Sequence, residues 1–226
     1  MAQRVADAVT EFAADIHIVP TDDAPRQILM AADSLARSGV LGGSLGDLSV
    51  RLPGIDHMLI TPEAALVEKL HESDLIEVAG SRIVRKRGRP SLSMQMHLAI
   101  YRARPDVNAI VQVHAPVATV LGICELPIPP VTFDAVPFVD LPRVPAATLE
   151  QGQWPQAVAD HLKGGSPAAL LLHHGIVAVG EDLPQAVRRA LSLEDTSRIL
   201  VVCYLLQQVP VPLPAEAVEI LRDFLV

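Results

Sequence analysis

Apolar side chains recur along this chain in two kinds of pattern. In residues 25–38 they follow the three- and four-residue spacing of an amphipathic helix, and Gly39 ends the pattern. The same spacing predicts further helices at 93–104, 116–123, 148–163, 183–207 and 215–225. Short apolar runs predict strands at 47–52, 58–61, 109–113, 168–172 and 175–179, with two more inside 74–86. Because helices and strands alternate, the pattern predicts an α/β fold.

The predicted elements divide the chain into a short extension and one domain. Residues 1–23 predict a short amphipathic helix followed by a connection rich in proline and aspartate, and residues 24–226 form the domain. The segment 127–145 holds six prolines, but we interpret it as an ordered connection inside the domain, because predicted helices and strands lie on both sides of it.

Composition and charge limit the kinds of molecule that we expect this protein to bind. A formal net charge of −8 argues against nucleic acid, whose phosphates require a basic surface. We interpret the arginine-rich stretch 82–89 as a solvated hairpin or loop. The alternative is that its positive charges attract an anionic substrate. The first residues carry acidic side chains and lack the apolar core of a signal peptide, and no apolar run reaches the roughly 18 residues that cross a bilayer. These features predict a cytoplasmic protein that binds neither nucleic acid nor membrane.

Two histidines lie where predicted strands end. His114 follows the strand 109–113, and His174 follows the strand 168–172. Neutral imidazole is the commonest protein ligand for transition metals, so a pair at strand ends predicts a metal site in a cleft. The alternative is a pair of core histidines hydrogen-bonded to the backbone.

Several motifs occur in one order and at close to one spacing. They are the segments 43–51, 59–62, 90–97, 101–106, 111–115 and 173–175. Together they resemble the class II aldolase/adducin family over nearly all of residues 25–207. The resemblance implies a three-layer α-β-α sandwich around a mostly antiparallel central sheet. It also implies a homotetramer with active sites near subunit interfaces, acting on a small-molecule substrate with a divalent metal that stabilises an enediolate-like oxyanion.

The resemblance assigns the metal site residue by residue. The family takes two histidines from a His-x-His strand and one histidine that precedes a glycine. His114 and His174 match two of these positions, and Gln112 occupies the third. Gln112 is either a weak amide ligand or a non-ligand that hydrogen-bonds His114 or a water. Zinc is the ion that the resemblance favours, with manganese or iron as alternatives.

The family's acid–base glutamate is replaced by Ser93, which cannot act as a free base near neutral pH. His97 lies one helical turn further and is expected on the same face as Ser93, either in catalysis or as a buried structural histidine. Asp47 stands where the family has asparagine and is a third catalytic candidate, or else a carboxylate that stabilises the turn. The substrate-binding candidates are Ser44, Ser91 and Asp134, of which Asp134 is either a substitute carboxylate from a neighbouring subunit or a solvated loop residue.

The phosphate-binding positions of the family are also changed. Asp47 and Glu63 introduce negative charge, and Leu92 removes a serine hydroxyl. Like-charge repulsion makes a sugar phosphate a poor substrate for such a pocket.

Three functions are consistent with these residues. The first is a metal-dependent lyase that decarboxylates a small non-phosphorylated oxo or hydroxy acid, or cleaves it by a retro-aldol reaction. Decarboxylation is preferred because it needs no base to begin. The second is a non-haem iron oxygenase on the same fold, and the third is a catalytically degenerate module for binding or oligomerisation.

Overall fold

The computed structural model describes residues 23–41, 46–54, 56–66, 69–80, 82–85, 88–146 and 152–225. The predicted N-terminal helix and Ser44 lie outside these ranges. The helices of the described part are α1 Ala24–Ser38, α2 Met94–Ala103, α3 Pro116–Ile123, α4 Trp154–Leu162, α5 Leu183–Leu205 and α6 Ala215–Leu225, with short 3₁₀ helices at Glu72–Asp74 and Phe133–Phe138.

Eight strands of the described part form a single sheet. They are β1 Asp47–Arg51, β2 His57–Ile60, β3 Ile76–Ala79, β4 Arg82–Arg85, β5 Ala109–Val113, β6 Arg143–Val144, β7 Ala168–Leu171 and β8 Gly175–Gly180. The spatial order is β4-β3-β2-β1-β5-β8-β7-β6, and every pair except β6 with β7 is antiparallel. The predicted mostly antiparallel sheet is therefore confirmed.

Alternation along the strands sends apolar side chains to both faces of the sheet. On β5, for example, Val111 and Val113 face one layer of helices and Ile110 faces the other. The first layer consists of α1, α3 and α5, and the second consists of α2 and α4. This arrangement is the three-layer α-β-α sandwich that the resemblance implies.

The helix ends follow from local chemistry. Gly39 closes α1 with a left-handed φ of 73°, a conformation that glycine adopts without steric cost. The side chain of Asp182 accepts a hydrogen bond from the backbone N–H of Gln185 and caps α5.

Two segments differ from the sequence prediction. Helix α4 begins at Trp154, after Gly152 and Gln153, which the predicted helix 148–163 includes; residues 148–151 lie outside the described ranges. Pro155 takes an early helical position that suits its fixed φ. The proline-rich segment 127–145 contains the 3₁₀ helix Phe133–Phe138 and the two-residue strand β6. A strand this short leaves no periodicity in the sequence, so pairing with β7 defines it. Among the described residues, no helix is long and apolar enough to cross a membrane.

A buried carboxylate joins the long helix α5 to the start of α3. Glu194, only 1% exposed, accepts hydrogen bonds from the backbone N–H groups of Val117 (3.1 Å) and Ala118 (2.9 Å). These N–H groups belong to the first turn of α3 and have no partner inside the helix, and the positive end of the helix dipole favours a negative charge there. Glu194 therefore fixes α3 against α5.

We predict that Glu194→Ala lowers the free energy of unfolding by about 2–4 kcal/mol, because two buried N–H groups lose a charged acceptor. Urea denaturation at pH 7.5 measures the effect. The matched control is Asp195→Ala, at the exposed neighbouring residue that pairs with Arg198, and it should change stability by less than about 0.5 kcal/mol. Equal losses in the two variants would contradict the capping role.

Candidate functional site

The candidate site lies where β5 ends, on the sheet face covered by α2 and α4. Gln112 is the polar residue of this strand, and it is 2% exposed. It pairs across the sheet with Asp47 on β1 and with Val177 on β8. Residues directly opposite each other in an antiparallel pair project to the same face. The register therefore brings Asp47, which is half-buried, next to the Gln112 side chain.

Two glycines allow the neighbouring chain to approach the end of β5 closely. A Cβ at Gly46 would lie 2.2 Å from the carbonyl oxygen of Gln112, and a Cβ at Gly175 would lie 2.2 Å from that of Val113. Both glycines also have positive φ, 77° and 141°. Only glycine meets both conditions, so these two positions fix the backbone on each side of the site.

The two predicted ligand histidines are brought together. The ring centroids of His114 and His174 are 5.6 Å apart, and the Trp154 ring lies edge-on to His174 at 6.3 Å. His174 belongs to the tight connection between β7 and β8. The carbonyl of His114 accepts a hydrogen bond from the Thr119 hydroxyl at 2.7 Å, so α3 positions this end of the strand.

The amide of Gln112 connects helix α2 to His174. Its Oε1 accepts a hydrogen bond from the Ser93 hydroxyl at 2.9 Å, and its Nε2 lies 3.0 Å from Nε2 of His174. The sequence hypothesis paired Gln112 with His114 or a water; in the structure its histidine contact is with His174.

A buried row of polar side chains continues from the site between β1 and α2. The Ser49 hydroxyl lies 2.7 Å from Nδ1 of His97 and 2.8 Å from the Tyr101 hydroxyl. The Arg51 guanidinium lies 4.6 Å from the centroid of the Tyr101 ring and donates to the carbonyls of Tyr101, Arg104 and Val107. Within the described residues, Nε2 of fully buried His97 has no hydrogen-bond partner.

This row, which we call the polar seam, follows from the spacing of the two elements. Its strand members are Asp47, Ser49 and Arg51, and its helix members are Ser93, His97 and Tyr101. Two residues of strand advance about 6.4–6.8 Å, and four residues of helix advance about 6.0 Å. The two rows therefore stay nearly in phase over this short length, so Ser49 contacts His97 and Tyr101, and Arg51 contacts Tyr101. The expected common face of Ser93 and His97 is consistent with their contacts to Gln112 and Ser49.

Burial lowers the pKa of two histidines at the site, His97 and His174. Desolvation lowers the pKa of His97 to about 4, and the negative charge of Asp47 opposes the shift. The pKa of His174 is also lowered, first by desolvation and then by His114, while Asp47 again opposes the shift. Although His174 counts among the exposed residues, its ring lies against His114 and Trp154, which removes part of its hydration. A neutral imidazole is the form that binds metal ions.

The geometry fits a pair of imidazole ligands. Two imidazoles bound to one ion at about 2.0–2.1 Å in a tetrahedral arrangement have ring centroids roughly 5 Å apart. The 5.6 Å between His114 and His174 is close to that separation. Across the described ranges, no three His, Cys, Asp or Glu side chains converge as a metal-binding group. A metal here would therefore be held by two imidazoles, next to the neutral amide of Gln112.

Of the other predicted site residues, Ser91 lies at the start of α2, whereas Asp134 lies in the opposite layer of helices. Ser91 is 4% exposed, and its Oγ accepts a hydrogen bond from the backbone N–H of Ser93 at the start of α2. Asp134 is exposed on the 3₁₀ helix, which contacts α5 and α6 in the opposite layer, so the structure does not bring it to the histidines within one chain.

Sequence reasoning missed Ser49 and the position of Trp154 against His174. Ser49 could have been found, because it lies two residues after Asp47 on the same strand face. Trp154 could not, because it reaches the site through packing of α4.

Comparison with known proteins identifies the family. Residues 26–201 match the family model described as "Class II Aldolase and Adducin N-terminal domain". The chain belongs to this family. It is 33% identical over 202 residues to L-fuculose phosphate aldolase of Escherichia coli K12, covering 88% of this chain and 93% of that protein.

Two further relatives of this aldolase/adducin chain indicate the range of chemistry. It is 30% identical to 3-oxo-tetronate 4-phosphate decarboxylase of E. coli K12 over 175 residues, 75% of this chain and 82% of that protein. A solved L-fuculose 1-phosphate aldolase superposes with a TM-score of 0.79 at 26% identity, covering 92% of this chain and 98% of that one. The relatives named here are aldolases and a decarboxylase, so they support a lyase in general.

The pKa of His97 predicts a pH dependence of stability. Between its unfolded value of 6.5 and its folded value of about 4, the unfolded chain binds a proton that the folded chain does not. The contribution is therefore complete above pH 6.5 and is lost as the pH falls toward 4, by about 1.4 kcal/mol per pH unit.

His97→Asn retains a polar atom near Ser49 and does not titrate, so urea denaturation between pH 7.5 and 4.5 should show a shallower slope than in the unsubstituted protein. The control is His161→Asn on the exposed end of α4, which should keep the full slope. An unchanged slope in His97→Asn would disprove the assignment.

Proposed function

We propose that this protein is a metal-dependent lyase that decarboxylates a small non-phosphorylated oxo or hydroxy acid, with retro-aldol cleavage as the related alternative. The observation that carries the proposal is the pair of imidazoles, His114 and His174, whose ring centroids lie 5.6 Å apart inside the fold of the class II aldolases. The decarboxylase among the relatives supports a lyase of this kind.

Ser93 favours decarboxylation over aldol chemistry. An aldolase must remove a proton from a substrate carbon or hydroxyl group, and a serine hydroxyl has no basicity for that task near pH 7. Here the Ser93 hydroxyl donates a hydrogen bond to the amide oxygen of Gln112. Decarboxylation starts with loss of CO₂ and needs only a source of protons afterwards.

The negative charge of Asp47 affects which substrate charge the site can accept. This charge opposes the lowering of the pKa of both His97 and His174, because Asp47 lies close enough to interact with both imidazoles. Glu63 is exposed next to the bridge between Pro62 and Pro90, where it adds a second negative charge near the start of α2. A phosphate dianion would be repelled at this edge, whereas a monoanionic oxo acid would be repelled less. The named relatives act on phosphates according to their names, so this chain would differ from them in substrate.

The metal would be held by His114 and His174, with zinc as the first choice and manganese or iron as alternatives. When bound, a divalent ion supplies Lewis acidity that stabilises negative charge on a substrate oxygen. The protein's own contribution is to hold the two imidazoles close together, and desolvation lowers the pKa of His174. The Trp154 ring packs against His174 and limits its contact with water on that side.

We also propose that the chain assembles as a homotetramer. Large apolar side chains are exposed on α3 and on the C-terminal half of α5, among them Val120, Ile123, Ile199, Val202 and Leu205. Exposed apolar surface of this kind is typical of subunit interfaces.

Elemental analysis of the purified protein tests the metal. We predict close to one zinc, manganese or iron per chain, and we predict that His114→Ala loses it and lowers activity at least about 100-fold, because one of two strong ligands is removed. Activity is measured as CO₂ release from a panel of oxo and hydroxy acids. The control is His161→Ala, which removes an exposed histidine and should keep both metal and activity.

The same measurement separates the alternatives. A protein without metal, whose melting temperature does not respond to any divalent ion, would be the binding module and not the lyase. Iron whose absorption changes when oxygen and substrate are added would indicate the oxygenase.

A second prediction concerns Asp47. Asp47→Asn removes a negative charge without changing side-chain size, so kcat/KM for a phosphorylated substrate should rise about tenfold relative to its non-phosphorylated analogue. The control is Asp33→Asn, at an exposed position of α1. An unchanged ratio would mean that Asp47 does not determine the charge of the substrate.

A further inference from the structure

Both polar atoms of the Gln112 side-chain amide have hydrogen-bonding partners. The Ser93 hydroxyl donates to Oε1, and Nε2 faces Nε2 of His174 at 3.0 Å. Gln112 is also almost fully buried, at 2% exposure. A buried amide that loses a partner cannot replace it with bulk water, so both contacts resist being broken.

The direction of the first hydrogen bond fixes the second. Because Oε1 is the acceptor for Ser93, the end that faces His174 is the NH₂ group, which can only donate. His174 must then accept through the lone pair of Nε2 and carry its proton on Nδ1. Turning the amide by 180° would instead make Gln112 accept a hydrogen bond from an N–H at Nε2 of His174. In both arrangements Gln112 occupies Nε2 of His174.

We infer that Gln112 competes with the metal ion for Nε2 of His174, and that Ser93 holds Gln112 in the competing orientation. The inference rests on the proposed function, in which His114 and His174 bind a divalent ion. An ion that reaches this nitrogen has to displace the Gln112 amide, so the hydrogen-bonded group opposes metal loading. Gln112 therefore acts as a positioning residue that weakens metal affinity, and it is not a third ligand.

The competing roles predict opposite signs for one substitution. Leucine at 112 is close in size to glutamine and can neither coordinate an ion nor donate a hydrogen bond. If Gln112 competes, Gln112→Leu raises zinc affinity about threefold to tenfold, the equivalent of one hydrogen bond. If Gln112 is a ligand, the same change lowers the affinity.

The experiment uses the full chain stripped of metal, with zinc alone as the probe and a chromophoric chelator as competitor at pH 7.5. Ser93→Ala is the second variant. It removes the donor that orients the amide, so it should raise zinc affinity about twofold even if Gln112→Leu folds poorly. The control is Gln95→Leu, at an exposed position on the same helix, which should leave the dissociation constant unchanged.

A second readout is independent of the metal. In the metal-free protein, ¹⁵N chemical shifts of the imidazoles should show a proton on one nitrogen of His174, and Gln112→Leu should change the ratio of its two tautomers. Gln95→Leu should leave that ratio as it is.

The outcomes distinguish the inference from the function on which it rests. Tighter zinc binding in Gln112→Leu and Ser93→Ala supports both. Weaker or equal binding in Gln112→Leu, with zinc still bound by the unsubstituted protein, overturns the competition and leaves the lyase proposal standing. If neither protein binds zinc, manganese or iron at millimolar concentration, both proposals fail.

Discussion

Gln112 carries an amide into the middle of a sheet in which the other residues of β5 are apolar and buried on both faces. A buried amide has to be hydrogen-bonded, and the packing offers it a partner on each side. One partner comes from the start of α2 and the other from the connection between β7 and β8. The need to satisfy this one group therefore ties three separate parts of the chain together at the site.

The backbone around Gln112 is held just as firmly. Gly46 and Gly175 approach carbonyl oxygens of β5 more closely than any side chain would permit. Beyond the strand, Ala115 has a φ of 40°, and the chain then turns into α3, whose first turn is bound by Glu194. A backbone conformation of this kind is costly for alanine and persists because its surroundings determine it. His114 lies between these two constraints, so its position depends on the packing of α5 as much as on the strand itself.

Much of the fold was visible in the sequence, since apolar spacing marks elements that bury one or both faces. The strand 109–113 and the helix 116–123 were predicted with the bounds that the structure has. Strand β6 was missed because two residues carry no periodicity, and the predicted helix 148–163 includes Gly152 and Gln153, which precede α4 in the structure.

The site was predicted in part. Its histidines could be found from their place at strand ends and from the family resemblance. The pairing of Gln112 with Ser93 and His174 could not, since it depends on which side chains the sheet register and the helix packing bring within 3 Å. The place of Tyr101 in the seam could not be predicted for a related reason, because a tyrosine in an apolar segment carries no signal until its partner is known.

The polar seam has a consequence for where chemistry can occur in this fold. Its strand and helix rows differ in rise by up to about 0.8 Å per step, so after two steps they are out of phase by up to about 1.6 Å, which is more than a hydrogen bond tolerates. The two rows therefore match over a few residues only. Asp47 and Ser93 both lie next to Gln112 at one end of the seam, so substitutions at these positions can change which groups meet a substrate. They cannot move the meeting point along the sheet, which the geometry of the two elements has already chosen.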